Sequence, residues 1–276
     1  TFSRLNRLVP AENIVVVTNE RYRNLVAEHL TEIPAANILC EPFMRNTAPC
    51  IAYANHWVAA KAGALADKAN IIVAPADHLI LDETRFLDIA QLAIQHTTST
   101  RNLVTLGIRP SRPDTGYGYI QFEDALESAN EKIRAVKTFT EKPHLELAEQ
   151  FLESGDFYWN SGIFIWSLEN VTRAFENSLP EMQELFEEHA DAFNTPHEKA
   201  AIASIYAECE NISVDYGLME KTPNVSVVLS DFGWSDLGTW GSIHEKLHLD
   251  SEGNGTSGVE LIAHDSQGNI VVSDAR

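Results

Sequence analysis

Positive charge is scarce in this chain. Its 276 residues carry 20 Lys and Arg against 40 Asp and Glu, a formal net charge of −20 at pH 7. Such a balance repels the phosphate backbone of nucleic acid and the anionic face of a membrane, so neither is an expected partner. A free phosphorylated metabolite is disfavoured too, unless a cation, a Lys or Arg, or a helix N-terminus compensates locally. Cysteine is rare as well: Cys40, Cys50 and Cys209 form an odd set with no close pair, which excludes a disulfide framework and a zinc-ligand spacing. No apolar run approaches the roughly 20 residues that cross a bilayer. The opening TFSRLNRLVP has neither the apolar stretch nor the cleavage site of a secretory signal. The expectation is a cytoplasmic globular protein.

What is present is enough apolar material, 44% of the residues, for a large core. Short β-branched runs alternate with helical patterns through the first hundred or so residues. Strand-like NIVVVT (from Asn13), NILC (from Asn37), NIIVAPAD (from Asn70) and LVTLGI (from Leu103) are separated by helices near Glu20–Leu30, Pro49–Ala62 and Glu83–His96. This alternation predicts an α/β fold with a mainly parallel sheet covered by helices on both faces. After Pro113 the pattern changes to paired strands, YGYIQF and KIRAVKTFT with an antiparallel element between them, and then GIFIWS. Helices resume over LENVTRAFENS, LPEMQELFEEH and Thr195–Cys209, and VSVVLS is a last strand of the main domain. SEGNGTSG then reads as a linker, followed by two strand-like runs around DSQGN.

Several motifs sit where strands end. IIVAPADHLI delivers Asp77 past an apolar run, where open α/β sheets hold ligands, and GWSDLGTW puts Asp236 on an aromatic-flanked turn. Two separated carboxylates on rigid turns suit a divalent metal and a phosphorylated substrate. The structural alternative makes Asp77 the cap of the next helix and Asp236 an ordinary turn residue. EPFMRNTAPCIAYA ends a strand and opens a helix, with Asn46 or Thr47 as N-cap and Pro49 in the first turn, where its missing N–H costs nothing. Its exposed N–H groups suit a base or a phosphate, or need no ligand at all. In PDTGYGYI, Gly116 and Gly118 admit a ligand close to the backbone, and they would equally suit a hairpin or a bulge. In TFTEKP, strand alternation sends Glu141 and Lys142 to opposite faces, so one should face a cleft rather than form an ion pair. WNSGIFIW places Asn160 and Ser161 before an apolar strand with Gly162 at its mouth, and Trp159 where it would stack on a sugar ring. HEKLH at His244–His248 matches the zinc-protease pattern, but the chain falls at once into a Gly/Ser stretch where that pattern needs a long helix.

Taken in order, EPFMRNTAP, PADH, TGYGYI, FTEKP, WNSGIF, SVDYGLMEK and WSDLGTW closely resemble the sugar-nucleotide pyrophosphorylases, and among them the mannose-1-phosphate guanylyltransferases. The resemblance spans Asn13 to about Asp274. It implies a Rossmann-like nucleotidyltransferase domain with a mixed, mainly parallel sheet over 1–249, a linker over 250–258, and the onset of a left-handed β-helix over 259–276. It implies GTP and α-D-mannose 1-phosphate as substrates, GDP-mannose and pyrophosphate as products, and Mg²⁺ as cofactor; a homodimer is compatible with it. Asp77 and Asp236 resemble the metal ligands. Glu41, Arg45, Asn46, Thr47 and Ala48 resemble the guanine and ribose contacts. Gly118, Glu141, Asn160, Gly162 and Asp215 resemble the sugar pocket, with Lys142 on the sugar phosphate.

The family's Gly-rich phosphate loop is missing: Gly63 alone precedes Gly107. The expectation is that a segment of about forty residues carrying that loop belongs before Thr1. Other nucleotide and sugar pairs, or a non-catalytic paralogue that binds a nucleotide sugar, are the competing readings. These 276 residues on their own are expected to be inactive, and normal turnover in a pyrophosphate-release assay would overturn that expectation.

Overall fold

The segment Leu103–Ile108 is apolar apart from Thr105 and buried at every position, as a strand covered on both faces must be. The computed structural model describes residues 1–126, 130–244 and 246–273. Its strands are β1 (Val16–Asn19), β2 (Ile38–Glu41), β3 (Asn70–Val73), β4 (Leu79–Ile80), β5 (Leu103–Ile108), β6 (Gly118–Leu126), β7 (Ile133–Glu141), β8 (Phe157–Ser167), β9 (Val225–Ser230), β10 (Trp234–Ser235), β11 (Gly255–Ser257) and β12 (Ile270–Val272). They fall into two compact units. The first is Thr1–Ala76 with Asp82–Phe232, and the second is Asp77–Leu81 with Gly233–Arg276.

In the first unit six strands form a sheet in the order β3-β8-β5-β9-β7-β6, and β6 also bonds to β8. The sheet is mixed, as expected, but it is not mainly parallel in its pairing. Among its described residues only β5 and β9 pair in parallel, while β3–β8, β5–β8, β6–β7, β6–β8 and β7–β9 are antiparallel. The physical reason is β8. It runs between β3 and β5 in the opposite direction to both, so two strands that the βα alternation aligns never touch. β1 and β2 form a separate parallel pair.

Strand alternation then builds two buried faces. Leu103, Val225, Val227, Phe164 and Trp166 share a core with Tyr53, Trp57, Phe175, Phe186 and Tyr206 of the helices Thr47–Ala62, Leu168–Ser178, Pro180–Glu187 and Glu198–Glu208. The intervening residues Val104, Leu106, Ile165 and Val228 are buried as well, and the helix Glu83–Ser99 packs on β8, β9, β3 and β5. Phe86 of that helix lies edge-on to Phe232 with ring centroids 5.3 Å apart.

The helix Glu83–Ser99 is capped by Asp82, whose Oδ1 accepts the Arg85 N–H at 2.9 Å. Asp77 therefore does not cap it. In the second unit, β4 and β10 pair antiparallel, with Leu79 opposite Ser235 and Ile80 opposite Trp234. β11 pairs in parallel with β12. The tail differs from its expected pattern: the run from Val259 is not a strand, and the partner of Ile270–Val272 is Gly255–Ser257 within the Gly/Ser stretch. Buried Asn254 decides this register. Its Oδ1 accepts Asn269 N at 3.0 Å and Asn269 Nδ2 at 2.7 Å, which pins the start of β12 beside the start of β11. No helix among the described residues is long and apolar enough to cross a membrane.

Asp82→Ala should cost about 1 kcal/mol of stability through the lost cap. Asp77→Ala should stay within about 0.5 kcal/mol of wild type. Urea midpoints for the two variants check this, and the opposite ranking would restore Asp77 as the cap.

Candidate active site

The antiparallel register of β6 and β7 sets Gly118 opposite Glu141. A Cβ on residue 118 would overlap Glu141 Oε2 and meet Asn160 Cβ at 3.4 Å, so glycine here lets the carboxylate lie back across β6. Beyond Glu141 the chain leaves the sheet. Lys142 takes φ +48°, its N–H donates to the Tyr117 carbonyl at 3.2 Å, and its Nζ returns to Glu141 Oε1 at 2.8 Å. The expectation that these two cannot pair is therefore corrected, because alternation stops at the last strand residue. The hydrogen bond to Glu141 holds the Lys142 ammonium above its usual pKa.

Asn160 and Ser161 do not precede a strand but lie inside β8, which begins at Phe157. The pairing shifts here, with Thr105 opposite Phe164 but Gly107 opposite Asn160, and Gly162 takes φ +67°. This bend turns Asn160 inward. Its Oδ1 accepts the Thr105 hydroxyl at 2.9 Å and the Gly162 N–H at 3.2 Å, and its Nδ2 donates to Asp215 Oδ1 at 2.9 Å. Asp215 opens a π-helical turn, Asp215–Met219, a local distortion common at functional sites. Burial first, and the neighbouring Glu141 charge second, push the Asp215 carboxyl up to about 6 against the pull of Asn160 and Lys142. Glu220, raised by burial and influenced by Glu141, adds a third acid that sequence reasoning missed. Trp159 is not open to stack on a sugar: it is buried, edge-on to Tyr117 at 5.0 Å and covered by the Arg112 guanidinium at 5.4 Å. Gly118, Glu141, Lys142, Asn160, Gly162 and Asp215 thus come together around one bend.

A second cluster surrounds the start of the helix Thr47–Ala62. Asn46 sits at φ 69° and ψ −168°, a region otherwise left to glycine that costs on the order of 1–3 kcal/mol. Its own Oδ1 offsets part of this by accepting the Thr47 N–H at 2.9 Å. The Ala48 N–H donates to the Ile212 carbonyl at 3.1 Å, and Thr47 Oγ1 accepts the Val214 N–H at 2.9 Å. The helix start is thereby stitched to the segment just before Asp215. Glu41 Oε1 accepts the Tyr206 hydroxyl at 2.8 Å, and burial holds the Glu41 carboxyl above its usual range. Arg45 Nε donates to the Tyr206 carbonyl at 3.2 Å. Nothing around Tyr206 in the sequence flagged it.

In the second unit, the β4–β10 ladder puts Asp77 and Asp236 at the same end, since they follow outward from the Leu79–Ser235 pair. Asp77 is exposed and Asp236 half-buried. Asp236 Oδ1 accepts the Gly238 N–H at 3.0 Å, so it is also the turn aspartate of the structural alternative. Neighbouring Leu237 takes φ +54°. No group of three or more His, Cys, Asp or Glu able to hold a metal occurs among the described residues. Two hard carboxylate donors still fit Mg²⁺, which is commonly bound through one or two carboxylates plus substrate phosphates. Of HEKLH, Glu245 lies outside the described residues; the helix there, Trp240–His244, is one short turn, and His244 Nε2 bonds the Gly253 carbonyl at 2.7 Å.

A family model described as Nucleotidyl transferase matches residues 1–252. The chain is 37% identical over 279 residues to the mannose-1-phosphate guanylyltransferase of Klebsiella pneumoniae, which aligns with all of this chain and 58% of that protein. The chain thus spans a little over half the length of the relatives it matches. Among solved structures, it resembles one described as a mannose-1-phosphate geranyltransferase from Thermus thermophilus, with a TM-score of 0.85, 28% identity, 99% of this chain and 76% of that one covered. It also resembles one described as a mannose-6-phosphate isomerase from Helicobacter pylori, with a TM-score of 0.67, 27% identity, 85% of this chain and 88% of that one covered.

The raised Asp215 carboxyl links stability to pH. The unfolded chain ionises it near 3.8 and the folded chain near 6, so its burial cost is absent below the first value and complete above the second. Asp215→Asn should therefore be more stable than wild type by about 3 kcal/mol above pH 7, with the gap closing towards about pH 4. Denaturant unfolding across that range checks it; a gap that widens on acidification would contradict the assignment.

Proposed function

The chain belongs to the nucleotidyl transferase family, and from that premise we propose that the protein makes GDP-mannose and pyrophosphate from GTP and α-D-mannose 1-phosphate. The observation that carries this reading is the convergence of Glu141, Asn160 and Asp215 with Lys142 around Gly118. Carboxylates and a carboxamide in a sheltered bend recognise several hydroxyls of a sugar, and an ammonium on the same turn suits its phosphate. The similarity to mannose-1-phosphate guanylyltransferases along the whole chain favours mannose and guanine over other pairs.

In this reading a sugar-phosphate oxygen attacks the α-phosphorus of GTP in line, the bond to the bridging oxygen breaks, and pyrophosphate leaves. Little covalent chemistry falls to the protein, so its residues position groups and balance charge. Lys142 binds the sugar phosphate, Glu141 orients that ammonium and accepts from the sugar, and Asn160 and Asp215 hold further hydroxyls. Glu41, Arg45 and Asn46 offer side chains to the base and ribose. Thr47 and Ala48, whose polar groups bond Ile212 and Val214, keep that loop in place. Asp77 and Asp236 would hold Mg²⁺, which when bound supplies the positive charge that a chain of net −20 lacks at the phosphates. The parallel β11–β12 pair is consistent with the first coil of a left-handed β-helix.

A matrix of nucleoside triphosphates against sugar 1-phosphates, assayed for pyrophosphate release by the full-length protein, tests the assignment. GTP with mannose 1-phosphate should be preferred, and preference for UTP or dTTP with glucose 1-phosphate would overturn it. EDTA should abolish turnover and added Mg²⁺ restore it. Asp77→Asn should lower kcat by about 100-fold or more if the carboxylate holds the metal, whereas near-normal turnover would remove it from the site.

A further inference from the structure

β5 is otherwise built from Leu, Val, Gly and Ile, yet it carries one hydroxyl, Thr105, with no exposed surface at all. Packing does not call for it. Valine has nearly the same shape, and a buried hydroxyl costs free energy unless it is hydrogen-bonded. The Thr105 hydroxyl has one proton to donate and two acceptors in reach, Asn160 Oδ1 at 2.9 Å and the Ile163 carbonyl at 3.3 Å. The shorter contact is to the carboxamide.

A carboxamide has two faces of opposite character, and turning it over exchanges acceptor for donor. Asn160 Oδ1 is held by the Thr105 hydroxyl and the Gly162 N–H, so the nitrogen faces Asp215. Reversing the group would set its oxygen against the Asp215 carboxylate. We propose that Thr105 is a positioning residue that fixes the orientation of the Asn160 carboxamide, so that the pocket presents N–H rather than C=O to a sugar hydroxyl. The assignment of a sugar to this pocket rests on the function proposed above; the Thr105–Asn160–Asp215 relay does not.

The test compares Thr105→Val and Thr105→Ser in the full-length protein. Thr105→Val should raise KM for the sugar 1-phosphate about 3- to 10-fold, the worth of one hydrogen bond, with KM for the nucleotide within about twofold of wild type. Thr105→Ser, which keeps the hydroxyl, should restore the sugar KM. An unchanged sugar KM in Thr105→Val, or equal rises in both KM values, would overturn the proposal, because a merely structural role would not single out the sugar. If the wild-type protein turns over no pair of substrates, the functional reading fails, and the relay is read from the Asn160 side-chain amide resonances. These should move in Thr105→Val and not in Thr105→Ser; resonances that stay in place in Thr105→Val would sink the relay.

Discussion

β8 bonds three neighbours, β5 along both of its halves and β6 and then β3 along successive stretches of its other edge. Its first residues, Phe157–Trp159, pair with β6, and Phe164–Ser167 lie along β3. Trp159 and Asn160 together with Phe164 and Ile165 meet β5. Between the two stretches the register against β5 shifts and the strand bends, with Gly162 in a left-handed conformation and Asn160 turned inward. The rest of the candidate pocket depends on that bend. It brings a carboxamide beside Asp215, lets the Thr105 hydroxyl act on a group in another strand, and leaves Gly118 room to accept the Glu141 carboxylate.

Backbone strain recurs in the motifs, although Asn194 and Asp265 also take positive φ outside them. Three non-glycine residues with positive φ, Asn46, Lys142 and Leu237, fall within EPFMRNTAP, FTEKP and WSDLGTW. Each conformation is costly for a residue with a Cβ, and each re-aims a polar group: Asn46 caps its own helix, Lys142 folds back on Glu141, and Leu237 follows Asp236 in its turn. Electrostatics adds a second cost. Burial first, and the neighbouring Glu141 charge second, raise the Asp215 carboxyl to about 6, so holding it ionised at neutral pH costs stability.

Much of this was legible in the sequence. The β-branched run LVTLGI is a strand over the same six residues, VSVVLS likewise, and YGYIQF and KIRAVKTFT do pair antiparallel. Local composition sufficed for the strands themselves, and for the β6–β7 pair because those two follow one another in the chain; β5 and β9 pair from distant parts of it. The insertion of β8 was not legible, since it depends on which distant strands share an edge, and periodicity carries no such information. For the same reason Asn160 looked like a strand entrance, and Glu141 and Lys142 looked unable to meet.

The order and composition of the motifs, readable without coordinates, determined the family and singled out the carboxylates, amides and lysine proposed for its chemistry. They did so because those side chains are needed as chemical types wherever the chain sets them down. Only the tertiary structure decided which of them meet: Asp82 rather than Asp77 caps the helix, Ala48 and Thr47 bind the segment before Asp215, and Thr105 reaches Asn160 from another strand. Scarce positive charge first marked this chain, and the fold answers it locally by bending Lys142 back onto Glu141. That contact depends on where a strand ends, which is set by the partner strand and not by the residues themselves.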